Sequence, residues 1–285
     1  MITTDFSKLK IFDCFTFNNE INLLKFRLEF LYEHVEKFLI SEANITFSGN
    51  PKPFNFLERR FDFSRWMSKI EYLPFTPTVA DLNFEKPESY DPNNAAWKVE
   101  NTQRDSLFTP LRALNDDSLI IVTDVDEIWN PTALRALKPS NFIAARLEMS
   151  FYYFFMNCKG VGPGNSSWAY PFCILPTAMK KEESAGFSRI RTKAQLPMIP
   201  NAGWHFSYLG GVQAIIEKIE SFSHQELNNE KTKNSVNIEK CIRLGIDPFD
   251  RRDHSWKFIN VNSFPMEISK LMQQYPEFVN TTNLR

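Results

Sequence analysis

Ser118-Leu119-Ile120-Ile121-Val122-Thr123-Asp124-Val125-Asp126-Glu127 reads as a strand that runs into three acids. Leu119 to Val122 is a short unbroken apolar run, the pattern of a strand covered on both faces. Acids at the C-terminal end of such a strand lie where open α/β sheets bind ligands. Side chains alternate along an extended chain, so Asp124 and Asp126 are expected on one side. Two carboxylates there suit a hard divalent cation, Mn²⁺ or Mg²⁺, that also holds a diphosphate. That arrangement serves the transfer of a sugar from a nucleotide. The competing reading is a solvated acidic turn capping the helix that Asn130-Pro131 starts.

Upstream, Lys10 to Phe15 reads as a first strand. Ile21, Leu24, Leu28, Leu31 and Val35 then recur at helical spacing, with Asn18 or Asn19 placed to cap. Phe38 to Ile40 is a second strand, ending at Ser41-Glu42. Strand, helix and strand within about thirty residues make a βαβ unit and favour a parallel sheet. Ile70 to Phe75 is a third strand, and Trp97 to Leu114 is helical, disturbed at Pro110.

Downstream come a short helix from about Thr132 to Leu137 and central strands within Phe142 to Phe155. Phe187 to Arg191 and Gly203 to Tyr208 are predicted strands. An amphipathic helix covers Val212 to Phe222, and a last helix, Val236 to Leu244, is closed by Gly245. The expected fold is α/β, a single domain over 1–285 with a mostly parallel central sheet flanked by helices. Its core runs from about residue 9 to 250, with a mobile C-terminal tail over 251–285.

The 285 residues suffice for a sizeable core. A formal net charge of −1 offers no basic face, so nucleic acid is excluded as a partner. No apolar run reaches the length of a membrane span. Met1 to Asp5 lacks the basic-then-apolar pattern of a signal peptide, so a cytoplasmic location is expected. Cys14, Cys158, Cys173 and Cys241 form no Cys-x-x-Cys pair, and scattered thiols fit a reducing compartment.

Three segments together carry a family resemblance. Phe38-Leu39-Ile40-Ser41-Glu42-Ala43-Asn44-Ile45-Thr46-Phe47-Ser48-Gly49-Asn50-Pro51-Lys52-Pro53 resembles the N-terminal signature of glycosyltransferase family 17. Thr123-Asp124-Val125-Asp126-Glu127-Ile128 looks like its Asp-x-Asp-Glu segment, and Gly203-Trp204-His205-Phe206-Ser207 like its Gly-Trp-His-x-Ser segment. Arg189-Ile190-Arg191 and Lys218 fall where that family has basic residues, and the matches keep its order from about Ile11 to Phe249. The family holds the β-1,4-mannosyl-glycoprotein β-1,4-N-acetylglucosaminyltransferases, which add bisecting GlcNAc. The resemblance implies a GT-A type fold, a UDP-sugar donor, a glycan acceptor and inverting transfer to a β-linked product. GlcNAc is the donor sugar it suggests; xylose, galactose and glucose stay open.

Candidate roles follow. Asp126 is the first metal ligand, and Asp124 contacts the metal through water or holds the donor ribose. Glu127 orients that pair or holds the donor sugar. His205 is the candidate third ligand, with His224 as its rival. Inversion needs a carboxylate base near the acceptor hydroxyl, and Glu226, Glu148 and Glu42 are the candidates. Asp13 and Thr16 end the first strand, where uracil and ribose bind in the GT-A fold. Glu42 is grouped with them at the donor. Arg104 reaches the diphosphate or pairs with Glu100 one helical turn away. Arg189 and Arg191, alternating on a strand, would share one phosphate-facing side.

Two other classes compete. A haloacid-dehalogenase-like phosphatase also carries Asp-x-Asp after an apolar strand, with the first acid as nucleophile. Against it, the motif lies mid-chain and Ile128 stands where Thr or Val is expected. A non-catalytic glycan-binding module would need neither UDP nor metal.

Overall fold

A computed structural model describes residues 8–136, 143–182 and 186–281. In chain order its elements are β1 (Lys10–Phe17), α1 (Ile21–Leu31), β2 (Lys37–Ala43), α2 (Asn55–Glu58), β3 (Ile70–Phe75), α3 (Ala95–Ser106), α4 (Phe108–Leu111), β4 (Ser118–Asp124) and β5 (Glu127–Trp129). Then follow α5 (Pro131–Arg135), β6 (Ala144–Tyr153), β7 (Cys158–Gly160), β8 (Ser167–Trp168), β9 (Phe172–Ile174), α6 (Pro176–Lys181) and α7 (Gly186–Lys193). The last are β10 (Met198–Ser207), α8 (Gly211–Ser221), α9 (Ser235–Leu244), β11 (Trp256–Phe258) and α10 (Met266–Met272).

The strands form one mixed sheet in the order β11-β7-β6-β9-β4-β1-β2-β3, with β10 paired to β5 and β6. Its first half is parallel: β1 lies between β2 and β4, and β3 follows β2. β6 and β10 are also parallel. The pairings of β4 with β9, β6 with β7, β8 and β9, β5 with β10, and β7 with β11 are antiparallel. The sheet is therefore parallel where the βαβ pattern applies, and beyond β4 it is antiparallel except for the β6–β10 pair.

β4 is the central strand. Ser118 to Thr123 are buried, matching an apolar run covered on both faces. α1 packs its apolar side, Leu24, Leu28 and Leu31, on the sheet. Its N-cap is Glu20, not Asn18 or Asn19, and the Glu20 carboxylate accepts from the N–H groups of both asparagines. α3 starts where Asn94 accepts from the Trp97 N–H at 3.1 Å. The helix expected up to Leu114 divides at Leu107 into α3 and α4. α9 ends at Gly245 in the left-handed conformation, φ 63°.

Two further expectations change. Phe187 to Arg191 lies in helix α7, not in a strand. Residues 251–281 are not a loose tail: Ile268, Leu271, Met272 and Phe278 are buried in the main core, and β11 pairs with β7. The expected helix end at Leu137 and strand start at Phe142 lie outside the described residues. All four cysteines are buried and free. Burial pushes the Cys158 and Cys173 thiols up to about 12.

One charged pair sits inside this core. Arg27 of α1 and Asp13 of β1 are fully buried, joined at 2.6 and 2.9 Å. Trp129 Nε1 donates to the same carboxylate at 3.1 Å, and the guanidinium lies 4.2 Å from the Phe15 ring centre. Removing one partner of a buried pair strands the other charge, which costs about 3–5 kcal/mol. Asp13→Asn is therefore expected to lower unfolding stability in urea by about 3–5 kcal/mol. A loss below about 1 kcal/mol would show that the pair is not the anchor described here.

Candidate active site

β4 ends at Asp124 and β5 begins at Glu127, so Val125 and Asp126 form a tight turn. The alternation expected of an extended Asp-x-Asp stops at this bend. Arg27 holds it: Nη1 donates to the carbonyls of Asp124 (3.1 Å), Val125 (3.3 Å) and Glu127 (2.8 Å). Its Nη2 donates to Thr123 Oγ1 at 2.7 Å. Glu127 closes the turn by accepting from the Asp124 N–H at 2.7 Å. β10 adds a further tie, Phe206 N–H to the Asp126 carbonyl at 2.8 Å. β10 comes this close because residue 203 is glycine; a Cβ there would lie 2.3 Å from the Ile128 carbonyl oxygen.

The three acids face three cations. Asp124 Oδ1 accepts from Arg104 (2.8 Å) and Thr16 (3.0 Å), and Oδ2 from Arg191 (2.7 Å). Arg191 also grips Glu127 with both nitrogens, at 2.5 and 2.9 Å. Asp126 Oδ2 accepts from Lys218 of α8 at 2.7 Å, and its Oδ1 lies 3.4 Å from His205 Nε2. Burial alone would raise the Asp124 carboxyl. Arg104 and Arg191 outweigh it and hold Asp124 well below the usual carboxylate range. Lys218 and His205 do the same for Asp126 against its own burial. Burial would lower the Lys218 ammonium, but Asp126 and Glu20 raise it, so it stays charged.

A cleft of about 460 Å³ opens beside this turn. It runs between the chain from Asn18 to Leu23 and helix α8, and Asp126 and Lys218 lie in its wall with Arg59 and Tyr208. His205 stacks on Phe151, ring centres 4.6 Å apart, and touches Trp168 at 4.4 Å. Its Nδ1 is buried without a partner. Trp168 Nε1 donates to Glu127 at 2.5 Å.

Among the described residues, no three His, Cys, Asp or Glu side chains gather as a ready metal site. Both Asp124 oxygens accept from arginines, so direct ligation by Asp124 would have to displace one of them. Asp126 and His205 face each other and are the donors that fit a divalent cation. One or two protein ligands suffice for an ion that keeps waters and takes substrate phosphates.

The other expected residues divide sharply. Thr16 joins the site through Asp124, as does Arg104, which pairs with both Asp124 and Glu100 at 2.8 Å. Asp13 does not reach it, because Arg27 and Trp129 hold it inside the core. Glu42 is equally structural: it accepts from Lys52 (2.7 Å), Tyr72 (2.9 Å) and the N–H groups of Asn55 and Phe56. It caps α2 and is free neither as base nor as donor ligand. Arg189 and Arg191 do not share a face, since residues two apart on a helix diverge. Arg191 is buried against the acids and Arg189 is exposed. Glu148 is half-buried on β6 and takes no part in these ion pairs.

Glu226 and His224 sit together beyond α8, Oε1 to Nδ1 2.7 Å apart, and Glu226 Oε2 is buried without a partner. His224 packs on Trp97 at 4.9 Å and pairs with Glu226, whereas His205 is the histidine that faces Asp126. The preceding Ser223 hydroxyl bonds Glu100, which pairs with Arg104. A chain of polar contacts thus joins Asp124 to the Glu226 neighbourhood. Phe151, Tyr152 and Tyr153 are buried in the core.

The phosphatase reading fails on Asp124, whose two oxygens are held by arginines where a nucleophile must be free.

Comparison with known proteins bears on the identity. A family model described as glycosyltransferase family 17 matches residues 3–282. No curated protein matches the chain. Among solved structures, the inositol-1-phosphate CTP transferase from T. maritima aligns at 8% identity, covering 98% of this chain and 100% of that one, with a TM-score of 0.36. So low a score carries no argument.

The acid–base arithmetic can be checked. A carboxylate whose folded pKa is depressed stabilises the fold above its unfolded value, about 3.9, and that stabilisation is lost as pH falls through the folded value. Thermal melts between about pH 7 and 2.5 should show little loss from this source above about pH 4 and a steep one below it. Asp126→Asn should flatten the acid side of the curve. Equal acid-side losses in both proteins would remove Asp126 from the stability balance.

Proposed function

This chain belongs to glycosyltransferase family 17, and from that premise we propose that it moves a sugar from a UDP-sugar to a glycan acceptor with inversion at the anomeric carbon. The chain is a glycosyltransferase, and its donor is a nucleotide sugar. GlcNAc is the first donor to test; xylose, galactose and glucose differ from it at a few pocket contacts. The observation that supports this reading best is the turn at Asp126, opening on a cleft at the C-terminal end of β4 beside β1. A GT-A arrangement would seat the nucleoside against the chain that leaves β1 and the diphosphate at Asp126 and Lys218.

Each residue then has a task. Lys218 and Arg59 present positive charge to the diphosphate. Arg104 and Arg191 hold Asp124 so that its accessible edge can take a ribose hydroxyl. Glu127 fixes the turn geometry through Arg191 and the Asp124 N–H. Asp126 and His205 would hold a divalent cation, and an imidazole ligand favours Mn²⁺ over Mg²⁺. When bound, that ion supplies Lewis-acid neutralisation of the leaving diphosphate.

Glu226 is the proposed base. His224 fixes one oxygen and leaves the other, buried and unpaired, to accept a proton. The acceptor hydroxyl gives its proton to Glu226 Oε2 as its oxygen bonds the anomeric carbon. The bond from that carbon to the diphosphate breaks, and UDP leaves with the electron pair. Glu148 is the second candidate.

Calorimetry with UDP, UDP-GlcNAc, UDP-galactose, UDP-glucose and UDP-xylose, with and without Mn²⁺, tests the donor site. Metal-enhanced binding that Asp126→Ala abolishes is the expected result. UDP that binds neither with nor without metal would sink the proposal. For the base, Glu226→Gln should lower kcat by about 10²–10⁴-fold at an unchanged donor KM. An undiminished kcat would pass the role to Glu148.

A further inference from the structure

Two tyrosines outside the expected site stand at its open edge. Tyr90 is 58% exposed and Tyr170 is 45% exposed, unusual for aromatic rings so close to buried charges. Neither is loose. The Tyr90 ring rests on Trp97 at 5.8 Å and on His224 at 5.7 Å. The Tyr170 ring rests on Trp168 at 4.6 Å and lies 5.8 Å from the Arg191 guanidinium. Each therefore packs against an indole on one side and is open to solvent on another.

The braces tie the two rings to opposite sides of the chemistry. Trp168 donates to Glu127 beside the metal-ligand pair. His224 bonds Glu226, the proposed base. A short run of contacts joins the two sides: Tyr170 lies on Arg191, Arg191 and Arg104 share Asp124, Arg104 pairs with Glu100, and Ser223 bonds Glu100 next to His224, on which Tyr90 rests. Two buried polar atoms there lack partners in the protein, the acceptor Glu226 Oε2 and the donor Trp97 Nε1. A ligand that satisfies both needs hydroxyl groups around an apolar face. A pyranose has that chemistry: axial C–H bonds stack on aromatic faces, and ring hydroxyls both donate and accept.

We propose that Tyr90 and Tyr170 wall a subsite for one pyranose of the acceptor glycan, with its reactive hydroxyl directed at Glu226. This rests on the transferase reading given above. Trp97 Nε1 would orient the sugar by donating to a neighbouring hydroxyl.

Saturation-transfer NMR tests it, with the methyl β-pyranosides of glucose, galactose, mannose and GlcNAc as probes and UDP and Mn²⁺ present. The wild type should transfer saturation to the C–H face of at least one glycoside. Tyr90→Ala and Tyr170→Ala should each weaken that glycoside roughly 2- to 10-fold, the span of one aromatic contact. Tyr90→Phe keeps the ring face and should keep the signal. Both rings are largely exposed, so neither variant threatens the fold. Undiminished transfer in both alanine variants would overturn the subsite, and so would its absence from the wild type for all four glycosides. UDP calorimetry on the wild type reports separately. UDP binding without a glycoside signal refutes the subsite and leaves the donor reading intact, and the reverse result refutes the donor reading alone.

Discussion

Everything at the site hangs on one buried guanidinium. Arg27 meets Asp13, Thr123 and three consecutive-turn carbonyls, so it ties α1, β1 and the β4–β5 bend together. A bend between two buried strands exposes backbone oxygens to the core, and unpaired oxygens there are costly. The planar fork of an arginine satisfies several at once, which a lysine would not. Asp13 supplies the charge that lets Arg27 stay in a closed core.

With that bend fixed, the surrounding charges fall into two layers. Arg104 and Arg191 bind inward, to Asp124 and Glu127, and leave those acids little freedom. Lys218 and His205 bind outward, to Asp126 on the cleft wall. The inner layer keeps the turn rigid; the outer can exchange partners with a substrate. Three cations against the acids also prevent the repulsion that adjacent carboxylates would otherwise suffer.

The strands were the most legible part of the chain. Leu119 to Val122 and Phe38 to Ile40 are unbroken apolar runs, and no helix of ordinary polarity reads that way. Phe187 to Arg191 misleads because five residues cannot separate two periods: Phe187 and Ile190 also fit a helical step of three. Asp13 misleads because β1 runs two residues past Phe15, which leaves Asp13 mid-strand and not at the ligand edge. Glu42 misleads because its partners, Asn55, Phe56 and Tyr72, come from distant segments. Asp126 and His205 stand out by local pattern and resemblance, and the fold sets them 3.4 Å apart, while Asp124 at the same turn is taken by Arg104 and Arg191. Arg27 carries a signal of its own, a lone charge on the apolar stripe of Leu24, Leu28 and Leu31. Tyr90 and Tyr170 had none, since only the fold places them near the acids.

The cysteines have a practical side. All four lie inside the core, and burial holds the Cys14, Cys158 and Cys173 thiols far from their reactive thiolate form. Maleimides and other thiol-directed reagents should pass over the native protein. A single cysteine introduced on the surface would then be the one attachment point for a fluorophore or spin label, with no native residue removed first.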